Sequence, residues 1–204
     1  DIPRYRGNAC QAWAILNGEK KVGLCIHKMI GDKLDSGDII SRDYYPININ
    51  TKITEIYKWL NQNIPRLFIE SLEILKENPK YILQSTSDNE THSLRCFPLK
   101  PSDGIINWHT NNINVLRKIN AFNKPYKGAY TFLNSKKLTI WDAQLVANKY
   151  NFCAIPGQVI TIKHGFIEVA CLESLIRINE VEYDNKLISP DKVIRSLRDR
   201  FENL

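Results

Sequence analysis

The stretch "VGLCIHKMIGDKLDSGDII", residues 22–40, decides how the first part of the chain folds. Val22, Leu24 and Ile26 alternate with the side chains of the opposite face, which predicts a strand with one side towards a core. The apolar run "IISRDYYPI" after residue 38 predicts a second extended segment. Between the two lies the polar sequence Asp-Ser-Gly-Asp, residues 35–38. We therefore expect a strand–turn–strand unit whose turn carries two carboxylates.

Helical patterns flank this unit on both sides. The segment "NACQAWAILNG", residues 8–18, predicts a short helix that Asn17 and Gly18 end. Residues 51–78 keep apolar positions at helical spacing and predict a long helix, with Thr51 as its N-cap. Pro65 inside this segment predicts a kink or a break into two helices. Strands and helices together indicate an α/β fold for residues 1–84.

The second half of the chain changes its period. The polar segment "QSTSDNETHS" predicts the start of a linker, residues 85–102, before a second domain of residues 103–204. A helix with Ile113, Leu116 and Ile119 on one face opens that domain. Five short segments of alternating pattern follow: "GAYTFL", "KLTIWDAQLV", "GQVITIK", "GFIEVAC" and "LIRINEVEY". They predict a small closed or nearly closed β barrel, and "SPDKVIRSLRDRF" predicts a final helix.

Composition limits the class of protein. The chain has 204 residues, 43% hydrophobic and 25% charged, so it is globular rather than disordered or fibrous. No apolar run is long enough to cross a bilayer, so no membrane insertion is expected. The five cysteines form no C-x-x-C pair, which disfavours a zinc site or disulfide framework and suits the cytoplasm. The net charge of +6 suits an anionic partner, or reflects the Lys and Asn usage of a low-GC genome.

The acidic turn has three chemical interpretations. A loop carboxylate binds a metal, acts as an acid or base, or makes an Asx turn. Asp32, Asp35 and Asp38 are three residues apart, whereas a calcium loop needs oxygen ligands at alternate positions. Acid–base and structural roles both stay open on the residues alone.

Several motifs together resemble the folate-dependent formyltransferase family. They are "PRYRGNACQAWAILNGE", "VGLCIHKM" and "LDSGDII" in the first part, and "PSDGIINW", "NKPYKGAYTF", "IWDAQLV" and "PGQVI" in the second. The family includes methionyl-tRNA formyltransferases and sugar N-formyltransferases. Motifs in the family's order over nearly the whole chain make the resemblance specific. It implies the C-terminal portion of a Rossmann-like formyltransferase domain, followed by a small five-stranded OB-like barrel.

The resemblance also implies roles for named residues. Asp35 matches the catalytic carboxylate in the transfer of a formyl group from N10-formyltetrahydrofolate to an amine, while Asp38 is expected to brace the turn. The loop that would line the folate pocket, or else be ordinary surface, is Gly31, Asp32, Lys33 and Leu34. The candidates for substrate contact are Arg6, Asn8 and Gln11. Arg6 has the alternative of bracing the turn, and the other two of being helix surface.

One departure from the family concerns its Asn and His. These lie in an Asn-x-His-x-Ser-x-Leu-Pro segment, and Ile2-Pro3 match only its last two positions. The chain is therefore expected to be part of a longer enzyme and to be inactive alone. His27 is interpreted as a packed or rim histidine rather than a replacement.

The acceptor is predicted from two sequence segments, one near each end of the chain. The segments "YRGNACQAWAILNGE" and "PDKVIRSLRDRF" resemble the sugar enzymes of surface-polysaccharide synthesis, such as O-antigen or lipopolysaccharide pathways. The prediction is a nucleotide-linked amino sugar as acceptor, in a protein that forms a homodimer. Charged initiator tRNA is the alternative acceptor. The third interpretation is a barrel that binds nucleic acid or protein without catalysis.

Overall fold

Two antiparallel strands, β2 (Lys21–His27) and β3 (Ile39–Pro46), flank the acidic turn in the computed structural model. The structure describes residues 1–31, 33–86, 93–147 and 152–202. These form two compact units, Asp1–Leu99 and Lys100–Leu204. The strand–turn–strand prediction is thus confirmed, and a β-bulge between Ile26 and His27 ends the regular register just before the turn.

The rest of the first unit surrounds this strand pair. A second, parallel pair joins β1 (Tyr5–Gly7) to β4 (Leu94–Cys96). Helix α1 (Cys10–Leu16) buries Ala12, Ala14 and Ile15. The antiparallel and parallel strand pairs, together with the helices, confirm the α/β class of this part. β4 lies inside the predicted linker, and residues 87–92 of that linker lie outside the described residues.

Helix α2 (Ile53–Glu77) is one continuous helix of 25 residues. The break predicted at Pro65 is wrong, because buried apolar side chains lie on both sides of it and hold the two halves against the same core. These are Ile53, Ile56, Leu60 and Leu67. The N-cap is Lys52 rather than Thr51, whose hydroxyl instead accepts the N–H of Asn48 at 3.0 Å.

The second unit is built on one antiparallel sheet. Helix α3 (Asn112–Ala121) begins after Asn111, whose side chain accepts the N–H of Asn114. The six strands are β5 (Ala129–Leu133), β6 (Lys136–Leu145), β7 (Val159–Lys163), β8 (Phe166–Cys171), β9 (Ser174–Tyr183) and β10 (Lys186–Ile188). Their order is β5-β6-β9-β8-β7, with β10 on β9. The core of this unit lies between the sheet and α3, which contacts β6 and β9.

The predicted OB-like β barrel is not confirmed. In the described part of the chain β5 and β7, at the two ends of the sheet, do not pair with each other. The C-terminal segment lies along both instead. The N–H of Val159 donates to the Asp199 carbonyl at 3.1 Å, and the N–H of Glu202 donates to the Phe132 carbonyl at 3.0 Å. A segment that is not a strand therefore forms backbone hydrogen bonds with both edge strands, which in a closed barrel would pair with each other.

The predicted final helix is also wrong. Only a 3₁₀ turn, Pro190–Lys192, forms there. The carboxylate of Asp199 accepts the N–H groups of Arg195 and Ser196, both at 3.1 Å. Such side-chain bonds offer the backbone an alternative to the helical ladder, and here the alternative prevails. Among the described residues no helix has both the length and the apolarity of a membrane crossing.

Candidate active site

The acidic turn follows β2 and returns the chain to β3. Asp35 has φ of 52°, the left-handed conformation that Asp tolerates better than most residues. Gly37 is required for a different reason, because a Cβ there would overlap the carbonyl of Lys28. The sequence Asp-Ser-Gly-Asp thus fits a turn that passes directly against the end of the preceding strand.

The Asp35 carboxylate is held at one oxygen and faces a histidine with the other. Its Oδ2 accepts the N–H of Gly7 at 2.7 Å. Its Oδ1 lies 3.9 Å from Nε2 of His27. The side chain of Asp35 is 32% exposed and that of His27 16%, so a substrate can still reach the carboxylate. The pair combines a fixed acceptor with a titratable ring, which is the equipment of acid–base catalysis.

The tautomer of His27 follows from its second contact. Its Nδ1 is 2.9 Å from the carbonyl oxygen of Lys28. A carbonyl only accepts, so Nδ1 carries a proton and Nε2 is the nitrogen that faces Asp35. The sequence interpretation gave His27 a packed or rim position and rejected it as a replacement for the family's His. The sequence feature that points to the contact with Asp35 is the position of His27, the last residue of the strand that leads into the turn.

Gly7 is a site residue that the sequence interpretation missed. Its φ is 105°, and a Cβ would lie 2.5 Å from the carbonyl oxygen of Cys96. Only glycine therefore lets β1 pass this close to β4 while its N–H points at Asp35. The sequence feature that points to Gly7 is its place directly after Arg6 in the first motif.

Asp38 has the contacts of a structural residue. Its Oδ1 accepts the hydroxyl of Ser85 at 2.7 Å and the N–H of Thr86 at 3.3 Å. The Thr86 hydroxyl also donates to the carbonyl of Ser36. Asp38 and the segment at Ser85–Thr86 therefore pin the turn, which leaves Asp35 as the carboxylate with an exposed face.

The predicted folate loop directly precedes Asp35. Gly31 has φ of 31°, and the N–H of Lys33 donates to the carbonyl of Ile30 at 3.0 Å, closing a tight turn. Asp32 lies outside the described residues. Met29, Ile30 and Leu34, which we call the apolar rim, are 77%, 46% and 61% exposed. Large apolar side chains exposed next to the Asp35 carboxylate suit the flat ring of an organic ligand.

The predicted substrate residues occupy different positions. Arg6 precedes Gly7 in β1, and its Nε is buried without a hydrogen-bond partner among the described residues. Asn8 donates its backbone N–H to the Cys96 carbonyl at 3.0 Å. Gln11 lines a cavity of about 100 Å³ whose lining does not include Asp35. Chain connectivity therefore brings Arg6 next to the Gly7–Asp35 contact, while Gln11 belongs to another cavity.

Two cysteine thiols lie beside Gly7, one in β4 and one at the start of α1. Burial raises the pKa of the Cys96 thiol to about 12 and also raises the pKa of Cys10, so both thiols are protonated at neutral pH. Neither is a ready nucleophile. In the part of the chain that the structure describes, no three His, Cys, Asp or Glu side chains cluster as metal ligands.

Family models match both units of the chain. One described as formyl transferase covers residues 2–72, and one described as formyl transferase, C-terminal domain, covers residues 98–198. The bifunctional polymyxin resistance protein ArnA of Wigglesworthia glossinidia brevipalpis is 28% identical over 184 residues. That match takes in 89% of this chain and 26% of ArnA.

Solved structures share the fold at lower identity. HypX from Aquifex aeolicus, in complex with tetrahydrofolic acid, has a TM-score of 0.67 at 17% identity, over 96% of this chain and 34% of HypX. An N-formyltransferase from Helicobacter canadensis, in complex with folinic acid and dTDP-3-aminofucose, has a TM-score of 0.66 at 18% identity. It is matched over 87% of this chain and 62% of its own. The chain thus spans less than two thirds of each of these proteins.

Proposed function

The chain belongs to the formyl transferase family, and from that membership we propose that the protein moves a formyl group from N10-formyltetrahydrofolate to the amine of a nucleotide-linked amino sugar. Asp35 is the residue of this chain that takes part in the chemistry. The observation that carries the proposal is the geometry of its carboxylate, fixed by the Gly7 N–H at 2.7 Å and facing His27 at 3.9 Å.

The reaction needs a group that removes a proton. Formyl transfer makes a bond between the acceptor nitrogen and the formyl carbon and breaks the bond from that carbon to N10 of the folate. The acceptor nitrogen gives up a proton in the process, and N10 gains one. Asp35 accepts the proton from the acceptor amine, and the Gly7 N–H keeps the carboxylate in place as its charge changes.

His27 acts through Asp35 in this scheme. Its Nδ1–H is committed to the Lys28 carbonyl, so the ring orientation is fixed while Nε2 stays directed at Oδ1 of Asp35. His27 is therefore a positioning residue rather than one that contacts the reacting atoms.

The residues before Asp35 fit a folate. The apolar rim offers exposed apolar surface for a pterin ring, and the turned backbone at Gly31 and Lys33 offers polar groups for its edge. Two structurally similar proteins are complexes with folinic acid and tetrahydrofolic acid, which supports a folate as the donor here. In this scheme the folate is the formyl donor and has no other role.

The acceptor assignment is supported from two sides. The Helicobacter canadensis complex contains dTDP-3-aminofucose, a nucleotide-linked amino sugar. In this chain Arg6 is half-buried in β1 next to Gly7, and its guanidinium is the donor that we assign to an anionic group of the substrate. Formation of a homodimer, a cytoplasmic location and a place in surface-polysaccharide synthesis remain predictions.

An acceptor assay tests this proposal. The gene product that contains the chain is supplied with N10-formyltetrahydrofolate and, in parallel, with dTDP-linked amino sugars, UDP-linked amino sugars or charged initiator tRNA. We expect formylated amino sugar from at least one of the two sugar sets and none on the tRNA. Formylation of the tRNA alone would make the sugar assignment wrong while leaving the family assignment intact.

A further inference from the structure

A second cavity lies wholly within the second unit. Its volume is about 790 Å³. Pro101 and three segments line it: residues 124–127 after α3, residues 136–141 of β6, and residues 182–185 where β9 turns towards β10. We call it the lysine groove. The proposed chemistry at Asp35 does not involve this groove, so the residues that line it need a separate explanation.

Positive charge dominates the lining of the groove. Four lysines from two segments line it, namely Lys124, Lys127, Lys136 and Lys137. All four are exposed. Only two carboxylates, Glu182 and Asp184, oppose them. Because these lysines come from separate segments, the sequence contains no long basic run that would reveal them.

Aromatic rings hold three of the lysines. The Nζ of Lys137 is 4.3 Å from the ring centroid of Tyr130, and that of Lys124 is 5.3 Å from the ring of Trp141. The Nζ of Lys136 is 5.6 Å from the ring of Tyr183. Such contacts restrict long side chains and lower the entropy that a ligand must remove when it binds them.

A fixed acceptor adds selectivity beyond charge. Trp141 Nε1–H donates to Oε2 of Glu182 at 2.9 Å, which orients that carboxylate at the wall of the groove. The side chains of Thr139 and Asn185 add a hydroxyl and an amide to the lining. A ligand that pairs its anionic part with lysines can therefore also donate hydrogen bonds from hydroxyl or ring N–H groups.

We propose that the lysine groove is a binding site for a nucleoside diphosphate. Its volume lies in the range of pockets for small organic ligands, larger than one phosphate requires. The diphosphate pairs with the lysines, while ribose hydroxyls and base N–H groups meet Glu182 and Asn185. This site goes beyond the proposed formyl transfer, since all of its lining residues belong to the second unit.

Titration calorimetry of the gene product with dTDP and UDP tests the site. The variant Lys127→Gln/Lys136→Gln removes two exposed charges from the groove. Its matched control, Lys163→Gln/Lys192→Gln, removes two exposed charges elsewhere in the same unit. We expect one binding event to weaken at least tenfold in the groove variant and to stay unchanged in the control. Formyl transfer stays at the wild-type rate in both, which separates this site from the one at Asp35.

Three results would overturn the proposal. One is an isotherm of the groove variant that matches the wild type. Another is binding of inorganic pyrophosphate as tight as that of dTDP and UDP, because base and ribose would then contribute nothing. The third is that a single-stranded oligonucleotide of ten nucleotides binds at least a hundredfold more tightly than either dTDP or UDP, and that this binding is lost in the groove variant. The groove would then hold a nucleic acid strand.

Discussion

At the scale of single residues, the proposed function depends on how three neighbours position the Asp35 carboxylate. Gly7 supplies an N–H that no bulkier residue could bring so close, and Gly37 lets the turn pass the Lys28 carbonyl. His27 completes the arrangement at 3.9 Å from Asp35. Asp35 was predicted from the sequence because a family motif contains it. The position of His27 beside Asp35 was not predicted, because strand alternation does not reveal the bulge that precedes the turn.

Replacement of His27 tests its positioning role. We expect His27→Ala to lower kcat by about tenfold to a hundredfold with little change in KM, since it acts on proton transfer rather than binding. The rate should also respond differently to pH, which a purely structural loss would not cause. His109→Ala, at an exposed histidine of the other unit, is the control. Wild-type kinetics and pH profile in His27→Ala would remove His27 from the mechanism.

Replacement of Gly37 tests the fit of the turn. In Gly37→Ala the new methyl group meets the Lys28 carbonyl, so the turn must shift. We expect a loss of roughly 1–3 kcal/mol in unfolding free energy and a larger loss of activity, because Asp35 moves with the turn. Gly165→Ala meets nothing within 4 Å but strains a backbone with φ of 91°, so it should lose some stability from the backbone alone and leave activity unchanged. Wild-type activity in Gly37→Ala would show that the turn accommodates a Cβ at residue 37 without moving Asp35, and would contradict this prediction.

At the scale of elements, alternation and periodicity identified most strands and helices but not how they end. β2, β3 and α3 follow directly from their apolar patterns. α2 continues through Pro65, since its packing on both sides outweighs one lost hydrogen bond. The last predicted helix fails because Asp199 bonds to the backbone that would have formed it. Local propensity does not contain these longer contacts.

The pairing of β8 with β9 predicts an acid dependence of stability. Burial raises the pKa of Glu168, but hydrogen bonds from Arg177 (Nη2 at 2.8 Å) and Thr161, together with the positive charges of Arg177 and Lys163, outweigh it and hold the pKa below its usual value. A carboxyl whose pKa is lower in the folded state stabilises the fold above its unfolded pKa. That contribution is lost as the pH falls through the folded pKa.

Glu168→Gln should therefore be less stable than the wild type at pH 7, by about 1–2 kcal/mol. The difference should shrink as the pH falls below the ordinary glutamate value of about 4.3. Urea unfolding at several pH values measures it, with Glu73→Gln on the exposed face of α2 as the control. A difference that stays constant down to pH 3 would contradict the lowered pKa.

At the scale of the whole molecule, the sequence identified two kinds of architecture but not how the second one is completed. Five alternating segments suggested a barrel, yet among the residues that the structure describes β5 does not pair with β7, and residues 199–202 lie along both edges. Phe201 anchors that segment. It is fully buried and stacks on Trp108 with 5.2 Å between ring centroids. The lysine groove likewise depends on segments that only the fold brings together.

Truncation of Phe201 tests whether the C-terminal segment completes the second unit. We expect Phe201→Ala to lower the unfolding free energy by about 3–5 kcal/mol, because it removes a buried ring and exposes two sheet edges. Leu197→Ala, at a side chain that is 53% exposed, should cost far less. Denaturant unfolding compares the two. Equal midpoints for both variants would mean that the sheet is stable without this segment.

The central claim concerns proton removal by Asp35, and single-turnover formyl transfer in the Asp35→Asn variant tests it most directly. The gene product is mixed with N10-formyltetrahydrofolate and the amino-sugar nucleotide that the acceptor assay identifies. An unchanged circular dichroism spectrum verifies the fold, and Glu73→Gln is the matched carboxylate-to-amide control. The account predicts a loss of 10²–10⁴-fold in the transfer rate for Asp35→Asn, as expected for a lost general base. A rate within about threefold of the wild type would contradict it.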